Sequence, residues 1–376
     1  MTEVQTLHPP RPQHPSLTAC PRPIRPFDRR DIPAVAALYM RAYRHTDAPP
    51  SRDLCDYFDR VFFSDPWIDL DASPSLVFVD HADRVRGFIG CHPRRLLCKQ
   101  RTISAVAMGQ MMVDPDMRRR GLAWTLGQSV LAGPQTLTYG TTASETAASM
   151  WKKMGFWNPP FAGLSWTLPL NSESPARAAD HRHRTTSLPR ILHTCLDRLF
   201  DGVRQVAPQP MRPIRDGRAW SDLHARLLTH VPLRPDTDEP HFNWAWKVLS
   251  RSTSKGQPRS CIVCNEHENP IGWVIYFRKQ DRSAAVLEIA HLPDHAPDLL
   301  TAFAYHAARD GLRRIRGRCS TPQLTAHLVE LGAKLTAAPS DTVYQTNDPD
   351  VRSAILNGQC FFSEMDSDGW LSFADR

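Results

Sequence analysis

The chain has 376 residues, of which 41% are hydrophobic and 23% are charged, and its formal net charge is +7. This length fits two domains, and the composition is that of a globular protein that can bury sizeable cores. No run approaches the ~20 apolar residues of a membrane helix, and the first residues have no apolar signal-peptide centre. We therefore expect a cytoplasmic protein without a membrane span.

The positive charge suits a polyanionic ligand. The basic residues are spread along the chain and match no zinc-finger or RNA-binding pattern, so no specific nucleic-acid partner is expected. The nine cysteines lack framework spacing, which indicates reduced thiols. Cys261 and Cys264 form a C-x-x-C pair, but in a predicted strand they would face opposite sides. We expect no metal or redox site.

The first half of the chain mixes strand and helix patterns. Residues 1–22, rich in proline and histidine, predict a disordered or extended arm. The aromatic residues at 57–67 indicate either core packing or the wall of a ligand pocket. Apolar periodicity predicts strands at 24–27, 76–79, 85–90, 94–98, 103–113, 137–141 and 161–170, and helices at 31–44, 50–63, 119–132 and 146–154.

The second half repeats this order of elements. Residues 171–215 predict a linker with an amphipathic helix at 187–204, either a bracket between domains or a membrane-surface helix. Residues 205–215 read as a loop. From 216 to 376 the pattern predicts helices at 220–228, 241–250, 299–310 and 322–331, and strands at 261–263, 271–277, 285–291, 312–319 and 342–346.

The stretch Gly109–Trp124, GQMMVDPDMRRRGLAW, joins a strand end, a basic turn and a helix start. A helix N-terminus offers unpaired backbone N–H groups, and the helix dipole favours negative charge there. Gly121 lets the backbone approach a phosphate closely. Arg118, Arg119 and Arg120 add forked donors that match phosphate geometry. The stretch therefore predicts a phosphate-binding loop.

The spacing resembles the acyl-CoA pyrophosphate loop of the GCN5-related N-acetyltransferase (GNAT) superfamily, V-x-P-x-x-R/Q-x-x-G-x-G/A. Every fixed position is filled, by Val113, Pro115, Arg118, Gly121 and Ala123. The resemblance implies an α/β (α+β) fold of two GNAT-like domains, each a mixed, mostly antiparallel central sheet flanked by helices. The acyl-CoA-binding catalytic domain would span 23–170 and a degenerate copy 216–376.

The resemblance also implies where acyl-CoA, the co-substrate, is held. The pantetheine arm would insert between two splayed strands, 109–113 and 137–141. Backbone groups of Met111, Met112 and Val113 would hold this arm and polarise the thioester. The pyrophosphate would lie on the backbone from Arg118 through Arg119, Arg120, Gly121 and Leu122 to Ala123. The second copy has Leu292–Asp298 there, with no glycine or arginine and two acids, so we expect it to bind no CoA.

The stretch Ser144–Phe156 resembles the second family motif, N-x-x-A-x-x-x-Y-x-K-x-G-F. Ser144 stands in place of asparagine, and Ala147 matches. Trp151 stands where the family often has a tyrosine that reprotonates the CoA thiolate, and an indole N–H supplies no proton at neutral pH. Water or another group then protonates the thiolate, or Trp151 shapes a channel for a longer acyl group, or the domain binds acyl-CoA without turnover.

An amine acceptor must lose a proton before it attacks. Gln110 on the central strand cannot take one. Glu145 is best placed, where the two strands diverge, although it also suits a helix N-terminus simply as a carboxylate stabilised by the dipole. The other candidates are Tyr139, His92, Asp114 and the terminal carboxylate of Arg376.

The sequence thus predicts an N-acyltransferase that moves an acetyl or other acyl group from acyl-CoA to an unknown amine by direct attack, without a metal. One alternative is a non-catalytic acyl-CoA-binding or scaffold protein, suggested by Trp151 and the missing base. Another is a Fem-like aminoacyl transferase, which the intact CoA loop disfavours.

Overall fold

The computed structural model describes residues 23–170, 209–319 and 321–370. The predicted arm at 1–22, the predicted helix at 187–204 and the terminal residue Arg376 lie outside the described residues.

The elements of the first half follow the sequence prediction closely. Ser51 and Ser144 cap two of the helices by accepting hydrogen bonds from the backbone N–H groups of Leu54 and Ala147. The elements are β1 (Ile24–Pro26), α1 (Ile32–Tyr43), α2 (Arg52–Phe63), β2 (Leu76–Val79), β3 (Val85–Cys98), β4 (Arg101–Val113), α3 (Leu122–Leu131), β5 (Leu137–Ala143), α4 (Glu145–Lys153) and β6 (Leu164–Pro169).

The second half contains four elements that the sequence patterns did not predict: the strands β7 (Met211–Pro213), β8 (Leu233–Pro235) and β13 (Lys334–Ala337) and the helix α9 (Pro349–Leu356). The strand β7 lies within the stretch 205–215, which was read as a loop. The elements are β7 (Met211–Pro213), α5 (Gly217–Leu227), β8 (Leu233–Pro235), α6 (Glu239–Ser250), β9 (Gln257–Cys264), β10 (Pro270–Arg278), β11 (Ser283–His291), α7 (Ala296–Arg309), β12 (Arg314–Arg318), α8 (Pro322–Glu330), β13 (Lys334–Ala337), β14 (Asp341–Thr346) and α9 (Pro349–Leu356).

Two seven-stranded sheets form the centre of the fold. The first has the order β1-β2-β3-β4-β5-β14, with β8 paired to the outer part of β3, and the second has the order β13-β6-β12-β11-β10-β9-β7. Within these sheets β4 with β5 and β11 with β12 are parallel pairs, and the other pairs are antiparallel. The predicted class, two mixed and mostly antiparallel sheets flanked by helices, is confirmed.

The two halves exchange strands, which corrects the predicted assignment of two segments. The strand β6 was assigned to the first unit, yet it pairs with β12 and β13 in the second sheet. The strand β14 was assigned to the second unit, yet it pairs with β5 in the first sheet. A cut at residue 170 therefore separates β6 from the second sheet and separates β8 and β14 from the first sheet.

The strands predicted at 85–90 and 94–98 form one strand, β3, in spite of Pro93. Pro93 faces Val106 of β4 in register. On the other edge of β3, β2 pairs only as far as Ile89 and β8 begins at Leu96. The missing N–H of proline therefore costs no ladder hydrogen bond on that edge, which is where proline is tolerated in a sheet.

The aromatic segments on α2 and α6 pack in a core that both halves share. Tyr57, Phe58 and Phe62 are at most 5% exposed and belong to the same hydrophobic cluster as Phe242 and Trp244. This places the segments in the interior and removes the reading of α2 as the wall of a ligand pocket.

Candidate active site

The predicted phosphate loop has the backbone geometry of an anion site. Gly121 is the N-cap of α3 with φ +75°, and no side chain caps the helix. A Cβ at Gly121 would meet no atom within 4 Å, so the backbone faces open space there. Arg119 also has a positive φ, 62°, and the three arginine side chains are exposed. The free N–H groups and the open approach fit a phosphate.

Asp114, a candidate base from the sequence, is a structural residue of this loop. Its Oδ2 accepts hydrogen bonds from Arg41 and Arg86, both at 3.1 Å. Its Oδ1 accepts from the backbone N–H of Asp116 at 3.1 Å. The carboxylate is buried and paired with two guanidinium groups, so it fixes the turn that leads from β4 to the arginines.

The two central strands separate beside this loop. They are paired only from Ala105 with Leu137 to Ala107 with Tyr139. Beyond that point β4 has a bulge at Gln110, which has φ 48°. The bulge gives β4 one more residue than β3 has over the same stretch, so the pairing register between them shifts by one. The opening between the strands exposes backbone groups of β4 that would otherwise pair with β5. We call this opening the first fork.

Tyr43 of α1 reaches the backbone beyond the bulge, a contact that the sequence did not indicate. Its hydroxyl donates to the carbonyl of Met111 at 3.2 Å. The residue is 49% exposed. Neighbouring protein atoms that desolvate the side chain, together with the charge of Asp368, raise the pKa of Tyr43 to about 12. Tyr43 therefore stays protonated as a donor at the first fork.

Trp151 is buried between α3 and α4. It is 4% exposed, and its ring lies 5.3 Å from that of Phe156. A Cβ at Gly127 of α3 would lie 2.6 Å from Cζ3 of Trp151. The larger indole is accommodated because its neighbour on α3 has no side chain, so Trp151 acts as a packing residue at the position of the family's tyrosine.

A hollow of about 520 Å³ lies on the surface between α3 and α4. Trp124 lines it from α3, and α4 supplies residues from Glu145 to Lys153. Glu145 is exposed in the first turn of α4, where Ser144 is the N-cap. The hollow adjoins the N-terminal end of α3, so it extends the anion site along the helix pair.

The other two candidate bases from the sequence are buried at the first fork in forms that do not exchange protons near neutral pH. The hydroxyl of Tyr139 donates to the carbonyl of Asp366 at 2.6 Å, and burial holds its pKa well above the usual range. His92 lies on the ring of Phe62 at 5.1 Å and contacts Gln110 at 3.2 Å. Burial, helped by the charge of Arg94, lowers the pKa of His92 to about 3.

The chain after α9 brings into the first fork a carboxylate that sequence reasoning missed. Asp368 is 1% exposed. Its Oδ1 accepts from the backbone N–H of Thr141 at 2.5 Å and from the Thr141 hydroxyl at 2.8 Å, and its Oδ2 accepts from the Thr142 hydroxyl. On the other side it lies against Gly109. Burial raises the pKa of Asp368, although the threonine hydrogen bonds oppose this.

The segment 361–370, which we call the C-terminal insert, is anchored on both sides of Asp368. The carbonyl of Asp366 accepts from Arg94 Nε at 3.3 Å as well as from Tyr139. The carbonyl of Trp370 accepts from the Tyr57 hydroxyl. These bonds come from β3, β5 and α2, so the first half holds a segment that comes from the end of the chain.

A buried pair of acids ties the insert to the second sheet. Ser363 Oγ lies 2.9 Å from Glu288 of β11 and 2.9 Å from Asp366. Burial raises the pKa of Glu288, but the charge of His224 and hydrogen bonds from His224 and two indoles outweigh it, so the net shift is downward. Burial and the charge of Glu288 raise the pKa of Asp366. Ser363 Oγ therefore lies within donating distance of both carboxyl groups, and the backbone N–H of Ser363 also donates to Asp366 Oδ2 at 3.1 Å.

Three other features were possible from the sequence: a metal cluster, chemistry at the C-x-x-C pair and a membrane-spanning helix. Within 23–170, 209–319 and 321–370, no three metal-ligating side chains lie close enough to share an ion. Cys261 and Cys264 on β9 are free thiols. None of the helices described there has both the length and the apolarity to cross a bilayer.

Comparison with solved structures identifies the fold. A probable N-acyltransferase from Enterococcus faecalis matches with a TM-score of 0.54 and 12% identity over 89% of this chain and 73% of that chain. GCN5-related N-acetyltransferases from Anabaena variabilis and Kribbella flavida match with TM-scores of 0.56 and 0.52, each at 14% identity over 86% of this chain and 72% and 71% of theirs. No protein-family model and no curated protein matches the sequence. The chain has the GNAT fold, as the resemblance of its motifs implied.

Proposed function

We propose that the protein is an N-acyltransferase that moves an acyl group from acyl-CoA to an amine at the first fork. One observation carries this proposal: β4 and β5 separate beside the uncapped N-terminus of α3, and a buried carboxylate, Asp368, hydrogen-bonds to β5 beyond the point of separation. A helix N-terminus suited to a phosphate, an open strand edge and a candidate base thus occur around the same two strands. These are the parts that acyl transfer from a CoA thioester to an amine requires.

The loop and the strand edge divide the binding of acyl-CoA between them. The backbone from Arg118 to Ala123 holds the pyrophosphate, chiefly through the N–H groups after Arg118, whose own N–H donates to the Pro115 carbonyl at 3.3 Å, and the exposed arginines add charge. The backbone of β4 from Met111 to Val113 pairs with the pantetheine amides. Tyr43 already donates to the Met111 carbonyl and so fixes the strand where the thioester comes to lie.

Asp368 takes the proton that the acceptor amine loses. Its raised pKa makes it a stronger base than an exposed aspartate, which suits proton removal from an ammonium ion. The amine nitrogen forms a bond to the acyl carbon, the C–S bond breaks, and the CoA thiolate takes a proton from water. Trp151 is buried between helices and plays no part in this last transfer.

A second candidate function is acyl-CoA binding without turnover. The burial of Trp151 favours it, because the usual tyrosine donor is absent and the indole does not face an open channel. In this case Asp368 only closes the fork by capping the Thr141 N–H, and the protein serves as a sensor or scaffold.

One assay separates the two functions. The full chain is mixed with acetyl-CoA and a panel of primary amines, and free thiol is followed over time. Amine-dependent thiol release supports the transferase. Binding of acetyl-CoA without thiol release for any amine supports the non-catalytic function, and absence of CoA binding contradicts both.

A further inference from the structure

The second half has a fork of its own. The strands β11 and β12 pair from Ser283 with Arg314 to Ala285 with Arg316 and then separate, as β4 and β5 do in the first half. A cavity of about 360 Å³ lies beside the separated end of β11, lined there by Ile289 and His291. This volume lies at the small end of the range of about 300–1,000 Å³ that ligand sites occupy.

This second fork is not built for a pyrophosphate. The N-cap of α7 is His295, not a glycine, and the residue before it, Asp294, has φ 66°. Asp294 lines the cavity, and its negative charge repels an anion. Asp298 in the first turn of α7 is paired with His295 at 3.1 Å. Both halves therefore have an opening between two parallel strands. The first opening lies beside arginines, and the second lies beside an aspartate.

Three histidines line the cavity. The hydrogen bonds that they make to neighbouring protein groups determine which ring nitrogen is left for a ligand. His291 Nδ1 lies 2.9 Å from the carbonyl of Leu292, and His327 Nδ1 lies 3.0 Å from the carboxylate of Glu330. Carbonyl and carboxylate oxygens only accept, so each Nδ1 carries a proton, and an imidazole protonated at Nδ1 alone has Nε2 as an acceptor. The third, His230, is likewise hydrogen-bonded to the backbone of Leu227.

The cavity therefore combines imidazole acceptors with a carboxylate. A ligand that matches these groups has several N–H donors and a positive charge, which describes a primary ammonium group. Apolar side chains complete the lining, among them Leu324 of α8 and Phe361, and they suit an aliphatic chain. Among the described residues no three metal-ligating side chains lie together, and this includes these histidines.

We propose that the second fork binds a primary alkylammonium group, with Asp294 as its counter-ion and His291 and His327 as hydrogen-bond acceptors. The group can belong to a free alkylamine or to a lysine side chain. The site is separate from the first fork and does not depend on acyl-CoA. Its wall includes Cys360 and Phe361, where the C-terminal insert begins, so a bound amine contacts the segment that carries Asp368.

Calorimetry with the full chain tests this site without acyl-CoA. n-Hexylamine is compared with hexanoate and n-hexanol, which share its chain but lack the ammonium group. We expect saturable binding of the amine and at least about tenfold weaker binding of the other two, since a hydrogen-bonded charge pair is lost. A lysine-containing peptide and its Nε-acetylated form provide the second arm, and binding of either ammonium source supports the site.

Matched variants locate the binding. Asp294→Asn should weaken n-hexylamine at least about tenfold, whereas Asp298→Asn, on the same helix turn but paired with His295, should leave it unchanged. Asp368→Asn should also leave it unchanged, which separates this site from an acceptor bound in the first fork. Any one of three results would overturn the proposal. Asp294→Asn binds n-hexylamine as tightly as the wild type, hexanoate binds as tightly as n-hexylamine, or neither n-hexylamine nor the lysine peptide binds.

Discussion

The carboxylate of Asp368 lies so close to Gly109 that a Cβ at residue 109 would overlap Oδ2. Gly109 belongs to β4, immediately before the bulge at Gln110, and Asp368 belongs to the C-terminal insert. The absence of one side chain on the central strand thus makes room for a buried acid supplied by a segment more than two hundred residues away in the chain. This contact sets the position of the base that we propose for acyl transfer.

Gly109→Ala should abolish most acyl transfer while the protein stays folded. The added methyl group displaces Asp368 from its hydrogen bonds to Thr141 and Thr142, and a displacement of about 1 Å at a reacting group costs roughly a hundredfold in rate. The measurement is kcat for thiol release together with thermal unfolding. Gly163→Ala is the matched control, because a Cβ at Gly163 meets no atom within 4 Å. Equal kcat for the two variants would show that the position of Asp368 is immaterial.

Asp368→Asn should lower kcat by roughly 10²- to 10⁴-fold, the range typical of general acid–base catalysis, with little change in acyl-CoA binding. In the wild type, protonation of Asp368 should cause a loss of rate as the pH falls. Because burial raises this pKa, the loss should begin above the usual aspartate range, and the variant should lack it. Glu145→Gln, at the exposed competing candidate, should retain kcat within about twofold; a larger loss there than in Asp368→Asn would reverse the assignment.

The phosphate loop could be predicted from sequence because everything that defines it is local. Val113, Pro115, Arg118 and Gly121 follow one another within a single turn, and the positive φ of Gly121 is a property of that residue type. The helices and strands around it follow from short-range periodicity in the same way.

The base and the strand exchange could not be predicted, because both depend on contacts between distant parts of the chain. The pattern of β14 shows a strand but not that its partner is β5. Asp368 lies in a short acidic stretch that reads as exposed, and only the tertiary fold buries it against Thr141. Trp151 could be recognised as a departure from the motif, whereas its burial depends on Gly127, which lies on a different helix.

Trp151→Phe should leave kcat within about twofold and lower the stability modestly, because the side chain packs between α3 and α4 and does not touch the reacting atoms. Trp151→Ala should cost roughly 3–5 kcal/mol of unfolding free energy, as expected for a buried large-to-small change. Urea unfolding and thiol release measure the two effects. A large loss of kcat in Trp151→Phe with unchanged stability would place Trp151 in the chemistry.

Gly121→Glu should abolish CoA binding without unfolding the protein. The substitution puts a negative charge where the pyrophosphate is expected, and the positive φ adds strain of about 1 kcal/mol. Gly311→Glu in the second half is a close control, because Gly311 has φ +79° and also faces open space. The two variants should lose similar stability, and only the first should lose CoA in a titration. CoA affinity of wild-type strength in Gly121→Glu would refute the loop assignment.

His92 should make the protein less stable in acid. Its folded-state pKa is about 3, whereas an unfolded histidine titrates near 6.5. Between these values the unfolded chain binds a proton that the folded chain does not, so the unfolding free energy rises with pH, by up to about 1.4 kcal/mol per unit from this residue.

His92→Phe keeps an aromatic ring packed against Phe62. In urea unfolding, it should reduce the difference in unfolding free energy between pH 4.5 and pH 7, and it should lower the unfolding free energy somewhat at each pH. His267→Phe, at an exposed histidine, should leave the wild-type difference in place. If His92→Phe and the wild type lose the same stability in acid, then His92 is protonated in the folded protein, and its burial beside the first fork does not exclude it from proton transfer.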